Sequence, residues 1–427
     1  MHFSRFRWKR HLSGGVTTGA KTSPMPLNVR AALAGGNHKY KLRRLVQDMV
    51  EEVLLKMSPH THAKHEILKK YLGAWFPILS KWNGRIVYLD GFAGPGEYNN
   101  GSYGSPIIAL NVAKEHKLKL ASEIIFYFIE KEKRRCLHLQ KLINKLYGYH
   151  EDGSYERLPA NFKIYIEQGE FNYIMNSLLG KLEEEKLNLA PTFAFIDPFG
   201  YSDIDVQILA RVLKFQKCEL LITYMVGFLD RFAYDNKHEA LIKQILMMSD
   251  DELESIRIIK DKEEREEKWL KTLIDKVRQI IKDSSREVYS LSFRVKDRMN
   301  KTMYYVIHLT GHLAGVKCMK EAMWNVGKSE GYVFSDYNFD PCQKSILDYL
   351  DLDYSKSWIP KAADNLYQKF KGEKKTIKEL EQYVLLNTPW IWRKEILKKL
   401  EEENKISVIG ERSRKKTYPD GLTIHFI

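Results

Sequence analysis

The sequence predicts an α/β fold, a doubly wound and mostly parallel sheet with helices on both faces, followed by a small C-terminal domain. Two observations carry this prediction. Apolar runs such as 123–130 (EIIFYFIE) and 192–197 (TFAFID) alternate with helical patterns between residues 85 and 225. Continuous apolar strands separated by helices are typical of parallel sheets covered on both sides. After residue 335 the pattern changes to short helices and a hairpin.

Two helices are expected first, at 39–57 and 61–82. Strands are then predicted at 85–90, 123–130, 162–168, 192–197 and 219–225, with helices at 105–116, 131–147, 171–186 and 204–213. Residues 250–284 are dense in charge, with apolar residues at helical spacing. This pattern predicts an inserted helical hairpin whose charges are solvated. Strands at 286–293 and 303–309 would close the sheet as an antiparallel pair, followed by a helix at 315–326.

Three parts of the chain are predicted: a tail at 1–37, a sheet domain at 38–335 and a C-terminal domain at 336–427. The last part should contain helices at 343–350, 362–369, 376–385 and 394–403, and strands at 405–409 and 423–426. Helices followed by a β-hairpin are the element order of a winged helix-turn-helix. The tail shows no lasting period and is interpreted as flexible and basic. Three interpretations of the tail are open. It is a stretch read from a start codon assigned too far upstream or a remnant of expression, an arm that binds nucleic acid, or a targeting segment.

Composition limits the classes of function. The formal charge is +14, but ten Lys and Arg residues precede the first acid, Asp48. The positive excess therefore lies mainly near the N-terminus, and the folded body is only mildly basic. Four widely spaced cysteines without a Cys-x-x-Cys pair argue against structural zinc and a disulfide framework. No apolar run reaches the ~18 residues of a membrane span, and no secretion signal is evident. A cytoplasmic protein is expected.

The strongest motif is LDGFAGPG, which directly follows the first predicted strand. Gly94 and Gly96 would let the backbone approach a ligand closely, as only glycine can. The alternative is a plain tight turn. The stretch resembles the first motif of class I methyltransferases, which implies a Rossmann-like fold and S-adenosylmethionine as cofactor. The residues that this resemblance places at the cofactor's methionine end are Asp90, Gly91, Phe92, Gly94 and Gly96.

Two further strand ends carry candidate cofactor contacts. Glu130 ends the second strand, where an acid of a Rossmann fold accepts hydrogen bonds from ribose hydroxyls. It lies about 40 residues after Asp90, more than the usual ~20, and the alternative is a helix-capping Glu. Glu170 and Phe171 follow the third strand, where the methyltransferase resemblance implies contacts to adenine. The alternative there is an ordinary acid at a helix N-terminus.

The fourth strand ends in Asp197-Pro198-Phe199-Gly200. This segment resembles the Asp/Asn-Pro-Pro-aromatic motif of amino-group methyltransferases and makes Asp197, Pro198 and Phe199 candidate catalytic residues. In such a site a carboxylate and a backbone carbonyl hold an exocyclic amine, and an aromatic ring stacks on a flipped base. Phe199 stands where the second Pro of that motif would be and Gly200 follows, and this departure argues against an amine acceptor. The alternative is a strand-end turn that lines the cofactor.

Other candidates favour ordinary roles. His60, His62 and His65 lack the HExxH arrangement of a zinc site, and a solvated helix start is the favoured interpretation. No metal site is predicted. Pro341-Cys342 resembles the nucleophile of cytosine-C5 methyltransferases only superficially, because it follows the sheet. Neither a Walker A motif nor a Gly-x-Ser-x-Gly elbow occurs, so the NTPase and hydrolase classes lack support.

Taken in order, four segments resemble the three-Cys-motif partner (TcmP) family: 64–75, 88–105, 195–200 and 304–324. They cover the region from about residue 60 to about residue 330, and the C-terminal part resembles the winged-helix domain attached to members of this family. The resemblance implies a methyltransferase-like fold and a bacterial chain with a radical-SAM-like partner protein that carries a three-cysteine motif. The substrate does not follow from it.

The predicted winged helix carries a basic surface. Lys394 and Lys398 would lie on its recognition helix. The wing would present Arg412, Arg414, Lys415 and Lys416. A basic wing beside a basic helix fits contacts to phosphates, whereas many winged helices bind proteins instead. Two functions follow as hypotheses: an S-adenosylmethionine-dependent methyltransferase acting on DNA or RNA, and a non-catalytic scaffold that binds nucleic acid and the radical-SAM-like protein.

Overall fold

The computed structural model describes residues 53–200, 202–284, 286–327, 333–335 and 358–427. Several predictions lie outside these residues. They are the tail at 1–37, the junctions at 37–38 and 335–336, most of the helix at 39–57, the helix at 343–350, and Cys342.

The main sheet has the strand order β3-β2-β1-β4-β5-β7-β6-β8. Its strands are β1 (Arg85–Asp90), β2 (Glu123–Glu130), β3 (Phe162–Gln168), β4 (Thr192–Ile196), β5 (Glu219–Tyr224), β6 (Tyr289–Lys296), β7 (Thr302–Thr310) and β8 (Val333–Ser335). The first five strands are parallel, and β7 runs antiparallel to both β5 and β6. The order reverses between β1 and β4. In an open α/β sheet, such a switch point forms a crevice for ligands at the carboxyl ends of the strands.

Helices cover both faces of this sheet. They are α1 (Pro59–Trp82), α2 (Ser105–Lys114), α3 (Lys133–Tyr147), α4 (Phe171–Glu184), α5 (Val206–Leu213), α6 (Val226–Phe232), α7 (Asn236–Leu246), α8 (Asp250–Arg257), α9 (Lys262–Ile281) and α10 (Leu313–Gly327), with a 3₁₀ turn at Lys282–Ser284. One core lies between the sheet and α4 to α9, and the other lies between the sheet and α1, α2, α3 and α10. The described helices include none that is both long and apolar enough to cross a membrane.

The first helix illustrates how local sequence sets these elements. Ser58 caps α1 by accepting a hydrogen bond from the backbone N–H of Thr61, and Pro59 occupies the first turn, where its missing N–H costs nothing. Apolar residues then recur every three or four positions and are buried: Ile67, Leu68, Tyr71, Leu72, Trp75 and Phe76. This stripe fixes α1 against the sheet and so places the helix start at the crevice.

The predicted fold class is confirmed: a doubly wound, mostly parallel sheet of the class I methyltransferase type, closed by an antiparallel pair. Three features differ from the prediction. Helices α6 and α7 were not predicted, because their apolar patterns are short, and β8 adds a further strand beside β6. The charges of 250–284 are not all solvated, since Glu266 is only 1% exposed and Arg265 binds the carboxylate of Asp230.

The C-terminal residues 358–427 form a small α/β module with its own apolar core. Its elements are α11 (Ile359–Phe370), β9 (Lys374–Thr376), α12 (Ile377–Asn387), α13 (Glu395–Glu402), β10 (Ile406–Ile409) and β11 (Thr423–Phe426). The three strands form an antiparallel sheet in the order β10-β11-β9. Of the expected elements, the helices at 362–369, 376–385 and 394–403 and the hairpin are present, and β9 is additional. The winged helix-turn-helix assignment stays a prediction, as do the domain boundaries.

This module is joined to α10 by a buried lysine. Lys320 is 1% exposed, and its Nζ donates to the carbonyl oxygens of Val384, Leu385 and Thr388 at 2.7, 2.9 and 2.7 Å. These carbonyls lie at the C-terminal end of α12, where helix carbonyls lack partners within the helix. Lys320 therefore supplies the donors that the end of α12 needs. Burial lowers the pKa of its amine to about 7.

Lys320→Met is expected to lower the free energy of unfolding by about 2–3 kcal/mol, since the carbonyls of Leu385 and Thr388 would lose their donor inside a packed interface, whereas that of Val384 would keep the hydroxyl of Thr388. Urea unfolding, with proteolysis of residues 358–427 as a second readout, measures this. The matched control is Lys317→Met, which removes the half-exposed pair with Glu381 between the same two helices. That change should cost under about 1 kcal/mol. Equal effects of the two variants would contradict the role assigned to Lys320.

Candidate functional site

A cavity of about 340 Å³ lies at the carboxyl ends of β1, β4 and β5 and at the amino end of the antiparallel β7, beside the switch point. It brings together residues from two of the predicted groups, the cofactor-binding residues and the catalytic residues. The glycine segment contributes Phe92, Gly94 and Gly96, and the end of β4 contributes Asp197, Pro198 and Phe199. The start of α1 and the residues just before it form the opposite wall. Residues in the lining that the sequence analysis had not assigned include Leu55, Ser58, Lys64, Tyr98, Thr223 and Tyr304.

The glycine segment turns sharply after β1. Gly94 and Gly96 have φ values of +62° and +84°, in the left-handed region that favours glycine. The two positions differ in their surroundings. A Cβ on Gly96 would lie 2.6 Å from Leu139 Cδ1, so packing requires glycine there. A Cβ on Gly94 would have no atom within 4 Å, so the backbone at Gly94 faces open space beside the cavity.

Glu130 ties this segment to the end of β2. It is buried, and its carboxylate accepts hydrogen bonds from the backbone N–H groups of Gly94 and Glu132, each at 2.8 Å. Glu130 does not cap the next helix, because Glu132 does so by accepting bonds from the N–H groups of Arg134 and Arg135. The capping alternative for Glu130 is therefore wrong. It does not line the cavity, and its contact with ribose stays a prediction.

Asp90 is fully buried at the end of β1. Its carboxylate accepts hydrogen bonds from the hydroxyl of Tyr88 and the N–H of Phe92, each at 3.3 Å. Burial raises the pKa of Asp90 to about 7, and the nearby Asp197 carboxylate also raises it. Bonds from Ser105, Phe92 and Tyr88 lower the pKa but do not offset the loss of water. An ionised Asp90 is thus costly in the absence of a cationic partner.

Asp90 should make folding stability depend on pH. Between about pH 4 and pH 7 the folded state holds a proton that the unfolded state has released, so stability falls as pH rises through this window. We expect Asp90→Asn to be more stable than the native chain by about 2–4 kcal/mol at pH 8, with a smaller gain at pH 5. Urea unfolding at both values checks this. Asp420→Asn, at an 88% exposed site, should show no such gain. A gain for Asp90→Asn that is independent of pH would refute the assignment.

Asp197 is bound by a lysine that the sequence analysis did not single out. The Nζ of Lys64 lies 2.5 Å from each oxygen of the Asp197 carboxylate. The two side chains are 7% and 20% exposed, and the amine also lies 5.3 Å from the ring centroid of Tyr304. The signal in the sequence was a lysine on the apolar face of α1, one turn before Ile67 and Leu68. A buried cation of this kind requires a nearby anion.

Phe199 lies at the mouth of the cavity, with 62% of its surface exposed. The guanidinium of Arg135 lies 5.5 Å from the centroid of its ring. A planar cation over an exposed aromatic ring leaves the other face of that ring available to a flat ligand. Pro198, the preceding residue, is buried.

The interpretation of the three histidines as a solvated helix start is wrong for His65. His65 is only 4% exposed, because it lies on the inner face of α1, with its ring centroid 5.7 Å from that of Tyr98. Burial lowers the pKa of His65 to about 3, and the adjacent charge of Lys64 lowers it further. The imidazole is therefore neutral at physiological pH. Among the described residues, no group of three or more His, Cys, Asp or Glu side chains could hold a metal ion.

The structure places the other predicted residues outside the cavity lining. Glu170 is exposed and pairs with Lys131 at 2.8 Å. Phe171 is buried, and a Cβ on Gly91 would lie 2.7 Å from its ring, so Gly91 is required for packing. Phe171 also packs on Phe92, at 5.4 Å between ring centroids. Phe171 thus supports the glycine segment from behind, and the adenine contacts stay a prediction.

The basic residues of the C-terminal module fall into two groups. Lys394, Arg412 and Lys416 pair with Asp420, Glu401 and Glu402 of the same module. The others, Lys398, Arg414 and Lys415, are exposed. Internal ion pairs reduce the charge that this surface offers to phosphates. Nucleic-acid contact by these six residues stays a prediction.

Comparison with known proteins adds structural neighbours only. No protein-family model and no curated protein matches the sequence. Similar solved structures include Trm1 from Pyrococcus horikoshii with S-adenosyl-L-methionine (13% identity, 62% of this chain and 58% of that chain, TM-score 0.35). A second is an O-methyltransferase from Bacillus cereus with SAH (12% identity, 66% of this chain and 95% of that chain, TM-score 0.31). A third is M. jannaschii TYW2 with AdoMet (11% identity, 60% of this chain and 77% of that chain, TM-score 0.28). This chain thus spans less than two thirds of the length of the Pyrococcus protein.

At such identities and TM-scores these neighbours do not identify an activity. The fold class rests on the strand order and directions of the chain itself. The TcmP resemblance has no family match beside it and stays a prediction.

Proposed function

We propose that this chain is an S-adenosylmethionine-dependent methyltransferase whose acceptor is a nucleic acid. One observation carries the proposal: a single cavity joins the left-handed glycine segment after β1 to the Asp197-Pro198-Phe199 segment after β4. In an open α/β sheet this is where a nucleotide-like ligand lies. When bound there, S-adenosylmethionine would supply an electrophilic methyl group.

The residues present fit the methionine end of this cofactor. The open space at Gly94 lets a ligand approach the backbone. Asp90 lies behind the cavity lining as a buried carboxylate, and no cationic side chain of the described residues contacts it. A cationic ammonium group nearby would stabilise the ionised form of Asp90. Glu130 holds the N–H of Gly94 and retains unused lone pairs for hydroxyl donors. Glu130 would then position the glycine segment and contact ribose.

The end of β4 would serve the acceptor. Asp197 carries a carboxylate whose charge Lys64 balances, and Phe199 offers an exposed ring at the cavity mouth. A base that is removed from its stack can lie on such a ring while polar groups hold its edge. Lys398, Arg414 and Lys415 of the C-terminal module would add phosphate contacts. A nucleic-acid acceptor would explain both the exposed ring at the cavity mouth and the exposed basic side chains of the C-terminal module.

A second candidate is a non-catalytic scaffold with the same fold, binding nucleic acid and a radical-SAM-like three-Cys-motif protein. The pairing of both Asp197 oxygens with Lys64 favours it, because a carboxylate held by a lysine is less able to accept bonds from an amine. TcmP membership would imply this partner and a bacterial cytoplasmic location.

Calorimetry with S-adenosylmethionine and S-adenosylhomocysteine tests the proposal. We expect both to bind in the micromolar range, since the cavity is formed in the free chain. Absence of binding to folded protein would reject the cofactor and favour the scaffold.

A further inference from the structure

The cavity extends well beyond the glycine segment. The sheet order β1-β4-β5-β7 places Thr223 on β5 and Tyr304 on β7 at increasing distance from the β1 loop, and both residues line the cavity. A ligand held at Gly94 therefore leaves the β5–β7 end for a second molecule. His65 on α1 lines the same cavity.

Two buried polar atoms of this lining lack partners among the described residues. The Nδ1 of His65 and the Oγ1 of Thr223 have no hydrogen-bond partner within the described part of the chain, although these residues are only 4% and 2% exposed. Buried polar side-chain atoms are normally hydrogen-bonded, so an orphan needs an explanation. Other orphans, such as Trp75 Nε1 and the Tyr305 hydroxyl, belong to residues outside the cavity lining. A polar ligand in the cavity would explain these two.

The chemistry of the lining restricts that ligand. His65 is neutral, because burial holds the pKa of its imidazole near 3, so one ring nitrogen donates and the other accepts. The hydroxyl of Thr223 can also do either. Lys64, the buried cation, is already paired with Asp197, which disfavours a phosphate or carboxylate ligand. Neutral groups in one cavity that can both donate and accept hydrogen bonds match the edge of a heteroaromatic base.

Aromatic side chains also line the cavity. Tyr304 and His60 pack edge to face, with ring centroids 6.0 Å apart, and Tyr98 packs against His65. All of these residues line the cavity. Rings around a neutral polar centre suit a flat ligand, because stacking and edge hydrogen bonds act together.

We propose that the space between His65, Thr223 and Tyr304 is a nucleobase subsite, with His65 and Thr223 holding the polar edge of the base. This deepens the proposed function by assigning the residues that select the acceptor. It rests on that function for the identity of the cofactor, but the subsite itself can be tested by binding alone.

The test titrates adenosine, cytidine, guanosine and uridine into protein saturated with S-adenosylhomocysteine, followed by ligand-detected NMR. We expect at least one nucleoside to bind, and Thr223→Val to weaken it about 10-fold or more, because the valine methyl replaces the hydroxyl without changing shape. His65→Phe, which keeps a ring without nitrogens, should weaken the same nucleoside. The affinity for S-adenosylhomocysteine should change less than about 2-fold in Thr223→Val.

The matched control is Thr192→Val. Thr192 is also a buried strand threonine, but its hydroxyl donates to the carbonyl of Ala190 at the opposite end of β4. This variant should bind the nucleoside as the native chain does. Failure of all four nucleosides to bind, or equal binding by Thr223→Val and the native chain, would overturn the subsite.

The two proposals fail in different ways. If S-adenosylhomocysteine binds and nucleosides do not, the subsite alone is wrong. If S-adenosylhomocysteine does not bind, the proposed function is wrong, and the same titrations on the ligand-free protein then decide the subsite with the same two outcomes.

Discussion

Gly94→Arg is expected to reduce the affinity for S-adenosylhomocysteine by about 100-fold or more while leaving the chain folded. The backbone at Gly94 faces open space beside the cavity, so a long side chain can be accommodated only by filling that space. The left-handed φ adds strain of about 1–2 kcal/mol, which a chain of this size tolerates. The bond from the N–H of Gly94 to Glu130 can persist, since it uses the backbone. Calorimetry measures the affinity and thermal unfolding checks the fold.

Gly101→Arg is the matched control for this variant. Gly101 also has a positive φ, +81°, and open space at its Cβ position, but it does not line the cavity. It therefore carries the same strain without the obstruction, and its affinity should be that of the native chain. If both variants lose binding, strain in the loop is responsible. If Gly94→Arg binds as well as the native chain, the cofactor lies elsewhere.

The sheet could be predicted from the sequence because its strands are buried on both faces. In β2 seven of eight residues are buried, and such a run is readable without knowledge of its neighbours. The antiparallel pair β6–β7 was readable for a similar reason, since a short polar loop joins two β-rich runs. The bounds of most helices differed by a few residues only. Helix α6 was missed because it has only seven residues, and α7 was missed because it buries only Ile242, Ile245 and Leu246, which is too few for a clear helical pattern.

The candidate site could be predicted only in part. Strand-end motifs identify Gly94 and Asp197, because local sequence sets a turn or a strand end. The partners of those residues come from elsewhere in the chain: Lys64 lies 133 positions before Asp197, and Tyr304 lies on β7. A contact between residues so far apart in the chain cannot be predicted from a local sequence pattern. Likewise, Glu130 is identified by its position, but its bond to Gly94 is visible only in the folded chain.

The membership of Lys64 in the site also changes how Asp197 should be tested. Removing the carboxylate alone leaves a lysine that is 7% exposed without its anion, and breaking a buried pair typically costs about 3–5 kcal/mol. Asp197→Ala would thus confuse loss of stability with loss of chemistry. Asp197→Asn, Lys64→Gln and the double variant form a cycle that separates the two, because the double variant removes both charges together.

If Asp197 holds the acceptor directly, Asp197→Asn should lower methyl transfer about 100-fold or more, and the double variant should be no better. The affinity for S-adenosylhomocysteine should change less than about 3-fold, and Lys64→Gln should retain more activity because it keeps the carboxylate. Transfer from tritiated S-adenosylmethionine to total RNA and genomic DNA measures the rate, with thermal unfolding beside it. Recovery of both stability and transfer in the double variant would instead make the pair structural. Cofactor binding without any transfer by the native chain would also favour the scaffold, since a scaffold does not need the chemistry at Asp197.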